Sequence, residues 1–179
     1  MDWLLRKITE LTEEEYEAIY QSLSPSRKAH IDRLKKPDDR KRSLLATEIV
    51  HQLASDAVLE TDPAGRPYLR NCPYYVSISH SHGAVACAVS ETPVGIDIEK
   101  IKPVKTRLVN YACLPEEQEY VNAQEAPVIT DGETLLRFFA VWTGKEACFK
   151  KNGGNMLSIN TLSLDRTTAV VDGYFVTIL

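Results

Sequence analysis

The segment Leu135 to Lys151 constrains this chain most. Leu135, Phe139, Trp142 and Phe149 recur at helical spacing, so the segment predicts a long amphipathic helix laid against a core. Asn152-Gly153-Gly154 ends it. Glu146 falls seven residues after Phe139, four after Trp142 and three before Phe149, in phase with that apolar stripe. A buried carboxylate with no partner is costly, so Glu146 calls for a metal, a cation or a proton. Lys150 follows four residues on, in the favourable Glu-to-Lys order, and an ordinary salt bridge at the stripe's edge is the plain alternative. Gly144 costs about 1 kcal/mol relative to alanine inside a helix, which marks a close approach by a backbone or a ligand.

A second stretch, Gly95-Ile96-Asp97-Ile98-Glu99-Lys100, reads as a strand over Val94 to Glu99. Asp97 and Glu99 are two apart and leave the same face, while Ile96 and Ile98 take the other and pack. Two adjacent like charges raise each other's pKa, and a bound cation relieves them. Hard oxygen ligands suit Mg²⁺, which often also binds substrate phosphates. The plain alternative is a solvated strand end with Lys100 neutralising one acid.

Around these stretches the expected order is helices, strands, helices, strands, an α+β pattern arranged in two halves. Thr12 with Glu15 forms a capping box ahead of Tyr16, Ile19, Tyr20 and Leu23. Ser24-Pro25 opens a short helix, and Pro37 opens a longer one reaching about Leu59, with Leu45, Ile49 and Leu53 on one stripe. Asp62-Pro63-Ala64-Gly65 is a loop. Tyr74 to Ser79 and Ala84 to Ser90 predict strands joined by the turn His80-Ser81-His82-Gly83. Helical pieces follow near 104–112 and 115–124, then a loop from Ala126 to Gly132. The tail predicts strands near 159–164 and 168–178, the latter bent at Asp172-Gly173.

At 179 residues the chain is one domain or two small ones sharing a core. A net charge of −4 argues against general nucleic-acid binding. No apolar run approaches the roughly 18–20 residues of a membrane span, and the charged stretch after Trp3-Leu4-Leu5 is unlike a signal peptide. Cys72, Cys87, Cys113 and Cys148 fit no C-x-x-C motif, which predicts reduced thiols in a cytoplasmic protein, with one disulfide pair as the alternative.

Within this acidic chain, Arg27 to Arg42 concentrates eight of the 21 basic residues in 16 positions. Such a patch suggests an anionic ligand or an acidic partner, a solvated helix face being the alternative. Ser77-Ile78-Ser79-His80-Ser81-His82-Gly83 follows a strand and has the hydroxyls, imidazole and turn amides to bind an anion. Gly65-Arg66-Pro67 is a weaker signal, a turn carrying one arginine. There is no G-x-S-x-G elbow and no H-E-x-x-H pair.

In combination and order, these motifs resemble the 4'-phosphopantetheinyl transferase superfamily, specifically its larger surfactin-synthetase type. The match rests on Gly95-Ile96-Asp97-Ile98-Glu99, then Trp142-Thr143-Gly144-Lys145-Glu146 with Lys150. Ser79-His80-Ser81, Gly65-Arg66-Pro67 and the basic stretch support it, and it covers about residues 20 to 165. The resemblance implies two similar α+β halves, 1–100 and 101–179, related by an approximate twofold within one compact unit. Coenzyme A would lie in the cleft between them. It implies Mg²⁺-dependent transfer of the phosphopantetheine arm of coenzyme A to a serine of an acyl or peptidyl carrier protein, with release of 3',5'-ADP. Fatty-acid, polyketide and non-ribosomal peptide carriers are all compatible. Asp97, Glu99 and Glu146 would hold Mg²⁺, and Lys150 would bind the pyrophosphate. Glu146 would be the base for the carrier serine, and Arg27, Arg42, Arg66, Ser79 and His80 would bind the nucleotide and its phosphates. His30 and Arg66 stand where family members often carry lysine. Arg66 keeps the charge and His30 mostly does not at neutral pH, so His30 stays outside the ligand set. The family plan implies a monomer, with a second half trimmed at Leu179 where larger members continue. A catalytically weak relative that binds coenzyme A or a carrier protein is the competing reading.

Overall fold

The computed structural model describes residues 1–123 and 126–179. It opens with β1 (Asp2–Lys7), a 3-10 turn at Ile8–Glu10, and helices α1 (Glu13–Ser22), α2 (Pro25–Asp32) and α3 (Pro37–Leu53). The strands β2 (Val58–Thr61), β3 (Pro67–Arg70), β4 (Tyr75–Ser81) and β5 (Ala84–Ser90) follow. Next come β6 (Ile96–Lys100), β7 (Val104–Lys105), α4 (Thr106–Ala112), α5 (Pro115–Val121), β8 (Val128–Ile129) and α6 (Gly132–Asn152). A 3-10 turn at Met156–Ser158 leads to β9 (Thr167–Val171) and β10 (Tyr174–Ile178). The α+β class is as expected. Among the described residues no helix is long and apolar enough to cross a membrane, and all four cysteines are free thiols.

The chain divides into two compact units, Met1–Val94 and Gly95–Leu179. This differs from the expected boundary at 100/101, and the reason is a ladder. β6 pairs antiparallel with β10, Asp97 opposite Thr177 and Glu99 opposite Phe175, so its hydrogen bonds lie within the second unit. Gly95 and Leu179 extend that ladder by exchanging backbone bonds of 3.1 and 2.9 Å. The strand carrying Asp97 and Glu99 therefore belongs with α6, not with the first unit.

In the first unit an antiparallel sheet of order β1-β5-β4 is covered by α3. Val85, Cys87 and Val89 of the central strand pack with Leu45, Ile49 and Val50 of the helix. Burying each of the larger apolar side chains contributes about 1.5–3 kcal/mol. The capping box of Thr12 and Glu15 forms as expected, with bonds of 3.1 and 3.0 Å, and Ser24 caps α2. α3 stops at Leu53, six residues before the expected end. Val58–Thr61 instead pairs with Pro67–Arg70, Leu59 opposite Leu69 and both buried, around a turn closed by Gly65 at φ 86°. The β4–β5 turn is tighter than expected. His82 and Gly83, at φ 43° and 81°, make it alone, and His80 and Ser81 belong to β4. β1 was not expected from its short apolar patch. It forms because β5 offers it a free edge, Leu4 opposite Cys87.

In the second unit a sheet of order β6-β10-β9 packs against α6. Asp172 and Gly173, at φ 54° and 78°, make the expected turn between β9 and β10. The expected strand at 159–164 is absent, because Glu117 Oε1 accepts from both the amide and the hydroxyl of Thr161 at 2.8 Å and draws that segment out of any ladder. The expected helix at 115–124 ends at Val121 in this structure, with Asn122 left-handed at φ 51°. Residues 124 and 125 lie outside the described residues.

The apolar face of α6 is turned by one residue from the stripe the spacing suggests. Phe149 is 39% exposed, and the buried row runs Phe138, Val141, Lys145, Cys148. Lys145 and its partner Glu117 are both fully buried, with Lys145 Nζ 2.8 Å from Glu117 Oε2. Lys145 also donates to the carbonyls of Leu157 and Ile159, and Glu117 accepts from Leu114 N at 2.8 Å. This pair ties α5, α6 and the 157–161 segment together. Burial works to raise the Glu117 pKa, but Lys145 and the amide donors outweigh it and hold it low.

Two glycines set how closely α6 is approached. A Cβ on Gly95 would stand 1.9 Å from the Ala147 carbonyl oxygen, so the helix backbone lies directly on the start of β6. A Cβ on Gly144 would meet Arg166 Nη1 at 2.8 Å and Thr161 Cγ2 at 3.2 Å. The close approach expected at Gly144 is thus made by side chains of the same unit.

Gly95→Ala should lower stability by at least the ~1–3 kcal/mol typical of overpacking. An unchanged denaturation midpoint would refute the close contact. Lys145→Met should cost about 3–5 kcal/mol at pH 7, because it leaves Glu117 buried and charged. Glu117 has a folded pKa below its unfolded value, so its stabilisation is complete above about pH 4.5 and is lost as pH falls through the lower folded value. The deficit of Lys145→Met should therefore shrink in acid. A deficit independent of pH would show that Glu117 is not the uncompensated charge.

Candidate active site

Trp142, Glu146 and Lys150 are spaced four and four, so they form one row along α6, and that row faces β6. Lys150 Nζ donates to Asp97 Oδ1 at 2.7 Å and to the Ile96 carbonyl at 3.1 Å. Trp142 Nε1 donates to Glu99 Oε1 at 3.3 Å. Glu146 lies between these two contacts along the helix. Its pKa is raised first by burial and then by the charge of Asp97, with Lys150 opposing and Glu99 adding to the rise. The three carboxylates are thus close enough to perturb one another, and only 5% of Asp97 is exposed.

The donor set is three carboxylates with no thiolate or imidazole in the row. Its mutual repulsion gives a hard divalent cation something to relieve, which fits the ion expected. As placed, however, no three Asp, Glu, His or Cys side chains among the described residues converge as a metal-binding cluster. Lys150 holds one Asp97 oxygen and Trp142 holds one Glu99 oxygen.

The cationic residues gather separately, in the first unit. A cavity of about 360 Å³ is lined by Arg27, His30, Asp39, Arg42, Ser43 and His80, with Gly65 and Pro67 at its rim. Arg27 is 7% exposed. Its Nε donates to Thr47 Oγ1 at 3.0 Å, and Nη2 donates to Ser43 Oγ at 2.9 Å and to the Ser43 carbonyl at 3.1 Å. Arg27 therefore pins α2 to α3 as well as lining the cavity. Burial pulls its pKa down to about 10, which leaves it charged at neutral pH. Arg42 is paired with Asp39 one turn earlier on α3. The structure does not gather every expected nucleotide ligand here. Arg66 sits exposed in the β2–β3 turn, its amide on Asp62 Oδ1, while its neighbours line the cavity. Ser79 is buried on the opposite face of β4 from His80 and does not line this cavity.

The residue pattern assigned no role to Lys145 or Glu117, and His30 was set aside from the ligand set. Lys145 had a readable signal. It lies seven after Phe138, four after Val141 and three before Cys148, the same arithmetic that singled out Glu146. Glu117 had none beyond its place in the first turn of a helix, since its partner comes 28 residues later.

The chain is similar to known proteins over both the acidic strand and the row on α6. Residues 93–171 match the family model of the 4'-phosphopantetheinyl transferase superfamily, a span that includes Asp97, Glu99, Glu146 and Lys150. The chain is 29% identical over 164 residues to 4'-phosphopantetheinyl transferase Sfp of Bacillus subtilis (strain 168), covering 86% of this chain and 71% of that protein. It is 30% identical over 140 residues to 4'-phosphopantetheinyl transferase psf-1 of Bacillus pumilus, covering 73% of this chain and 58% of the relative. It is also 32% identical over 107 residues to 4'-phosphopantetheinyl transferase AcpT of Salmonella typhimurium, covering 58% and 52%. The acidic strand and the helix row fall in the matched span, and the chain is similar to these 4'-phosphopantetheinyl transferases over most of its length.

Proposed function

We propose that the protein is an Mg²⁺-dependent transferase that moves the 4'-phosphopantetheine group of coenzyme A to a serine of an acyl or peptidyl carrier protein and releases 3',5'-ADP. The observation that carries this reading is the row Trp142, Glu146 and Lys150 set against Asp97 and Glu99. It offers charge for a diphosphate and a poised base on one helix. The cationic cavity of the first unit carries groups suited to the phosphates of an adenine nucleotide.

Asp97, Glu99 and Glu146 would hold the metal ion, which when bound supplies charge neutralisation at the diphosphate. The serine oxygen attacks the phosphorus that bears the pantetheine arm. The bond from that phosphorus to the bridging oxygen breaks, and 3',5'-ADP leaves with the electron pair. Glu146 takes the serine proton. Its raised pKa brings it nearer the working pH, where general-base catalysis is most effective. Lys150, already beside Asp97, offers its ammonium to the departing phosphate.

Glu146 should oppose stability where it serves chemistry. Its folded pKa lies above the unfolded value near 4.5, so its ionisation costs nothing below that value. The cost grows as pH rises through the folded value and is constant above it. Glu146→Gln should therefore unfold at higher denaturant than the native chain at pH 7 and lose that advantage near pH 4, while turnover falls about 10²–10⁴-fold. Full turnover in this variant would remove Glu146 as the base.

The reaction itself is tested by incubating the protein with coenzyme A, Mg²⁺ and several apo carrier proteins and weighing the carriers. A mass gain equal to one phosphopantetheine arm, abolished by EDTA and restored by Mg²⁺, is the expected result. No gain on any carrier, with coenzyme A still bound, would replace this reading with the weak-relative one.

A further inference from the structure

The interior of the second unit holds a pair of hydroxyls that the reading above leaves without a role. Thr143 of α6 and Thr177 of β10 are both fully buried. Their hydroxyl oxygens stand 2.6 Å apart, and Thr143 Oγ1 also donates to the Phe139 carbonyl at 2.7 Å. A hydroxyl has one proton to give, so the proton between the two threonines comes from Thr177. Thr177 donates to Thr143, and Thr143 donates to its own helix.

The place of this pair in the sheet ties it to the acidic strand. Thr177 is directly opposite Asp97 in the ladder of β6 and β10, so the two side chains share the face that meets α6. Thr177 engages that helix at Thr143, and Asp97 engages it at Lys150, two turns or about 10 Å further along. The contact of Gly95 with Ala147 falls between them. Trp142, which reaches Glu99, immediately precedes Thr143, and Glu146 follows Thr143 by three residues. One rung of the ladder therefore holds α6 on both sides of Glu146.

Stability alone does not require this bond. Valine has the shape of threonine without the hydroxyl, and replacing both partners of a buried hydrogen bond by apolar groups of the same shape is nearly neutral. What the bond adds is direction. It fixes a distance and a helix rotation, where two apolar surfaces would slide. We propose that Thr177 is a positioning residue whose bond to Thr143 sets the rotation of α6, so that Trp142, Glu146 and Lys150 face Asp97 and Glu99. It acts through the helix and not on the reacting atoms. The kinetic part of its test rests on the transferase reading.

The test compares Thr177→Val, Thr143→Val, the double variant and Thr177→Ser with the parent chain. All carry Trp3→Phe, which leaves Trp142 as the only tryptophan. Without ligands, both valine variants should keep a denaturation midpoint near that of the parent and should shift the Trp142 emission, because the helix no longer holds Trp142 on Glu99. In the transfer assay kcat should fall roughly tenfold or more, since a misplacement of about 1 Å costs up to about 10²-fold, with KM for coenzyme A little changed. The double variant should lose no more than the worse single variant, and Thr177→Ser should recover the parent's emission and kcat. Unchanged emission and kcat in the valine variants would overturn the proposal. So would additive losses in the double variant, or a serine as impaired as the valine, because either result assigns the effect to packing. A lowered midpoint with unchanged kcat per folded molecule would overturn it as well. Should Thr177→Val not fold, Thr143→Val removes the same bond from the helix side and decides on emission and kcat. No transfer by the parent chain would overturn the transferase reading, and the emission of the valine variants would still decide whether the pair positions the row.

Discussion

The contact between Gly95 and the carbonyl of Ala147 sets the geometry of the second unit's active row. Because Gly95 has no Cβ, the backbone of α6 lies directly against the start of β6. That distance brings Lys150 within hydrogen-bonding reach of Asp97 and lets Trp142 reach Glu99. With any side chain at position 95, the helix would have to move away or rotate, and the row would no longer face the strand. The exchange of backbone bonds between Gly95 and Leu179 holds the glycine in place from the other side.

Two neighbouring residues of α6 show how one helix separates stability from chemistry. Lys145 is buried with its charge fully answered by Glu117 and two carbonyls. Glu146, one residue on, is half-buried, and burial together with neighbouring carboxylates pushes against its ionisation. The satisfied charge anchors the helix to α5 and to the 157–161 segment. Glu146, its pKa raised, lies in the row that faces β6. Strain at functional groups is tolerable only where the surroundings hold them firmly, and Lys145 supplies that hold.

In the first unit, cationic groups are organised around a different principle. Arg27 spends much of its guanidinium on Ser43 and Thr47, so its position is fixed before any ligand arrives. Arg42 keeps a carboxylate partner in Asp39. Such pre-positioning lowers the ordering cost of binding an anion. It also moderates the charge that the cavity presents.

Much of this was legible in the residues themselves. Period-two spacing put Asp97 and Glu99 on one face, and period-3.6 spacing aligned Glu146 with Lys150, because backbone geometry alone dictates both. Caps at Thr12, Ser24 and the glycine turns were readable for the same local reason. What the residues did not reveal depends on partners distant in sequence. β1 exists because β5 has an edge for it, and 159–164 is not a strand because Glu117 captures Thr161. α6 is turned by one residue because Lys145 has Glu117 to bury against. Local chemistry thus determined which groups could act, namely carboxylates, lysines and arginines in a given order. Only the tertiary structure decided which charges are neutralised in the interior and which are left raised and available, because that depends on desolvation and on contacts 28 to 53 residues away along the chain.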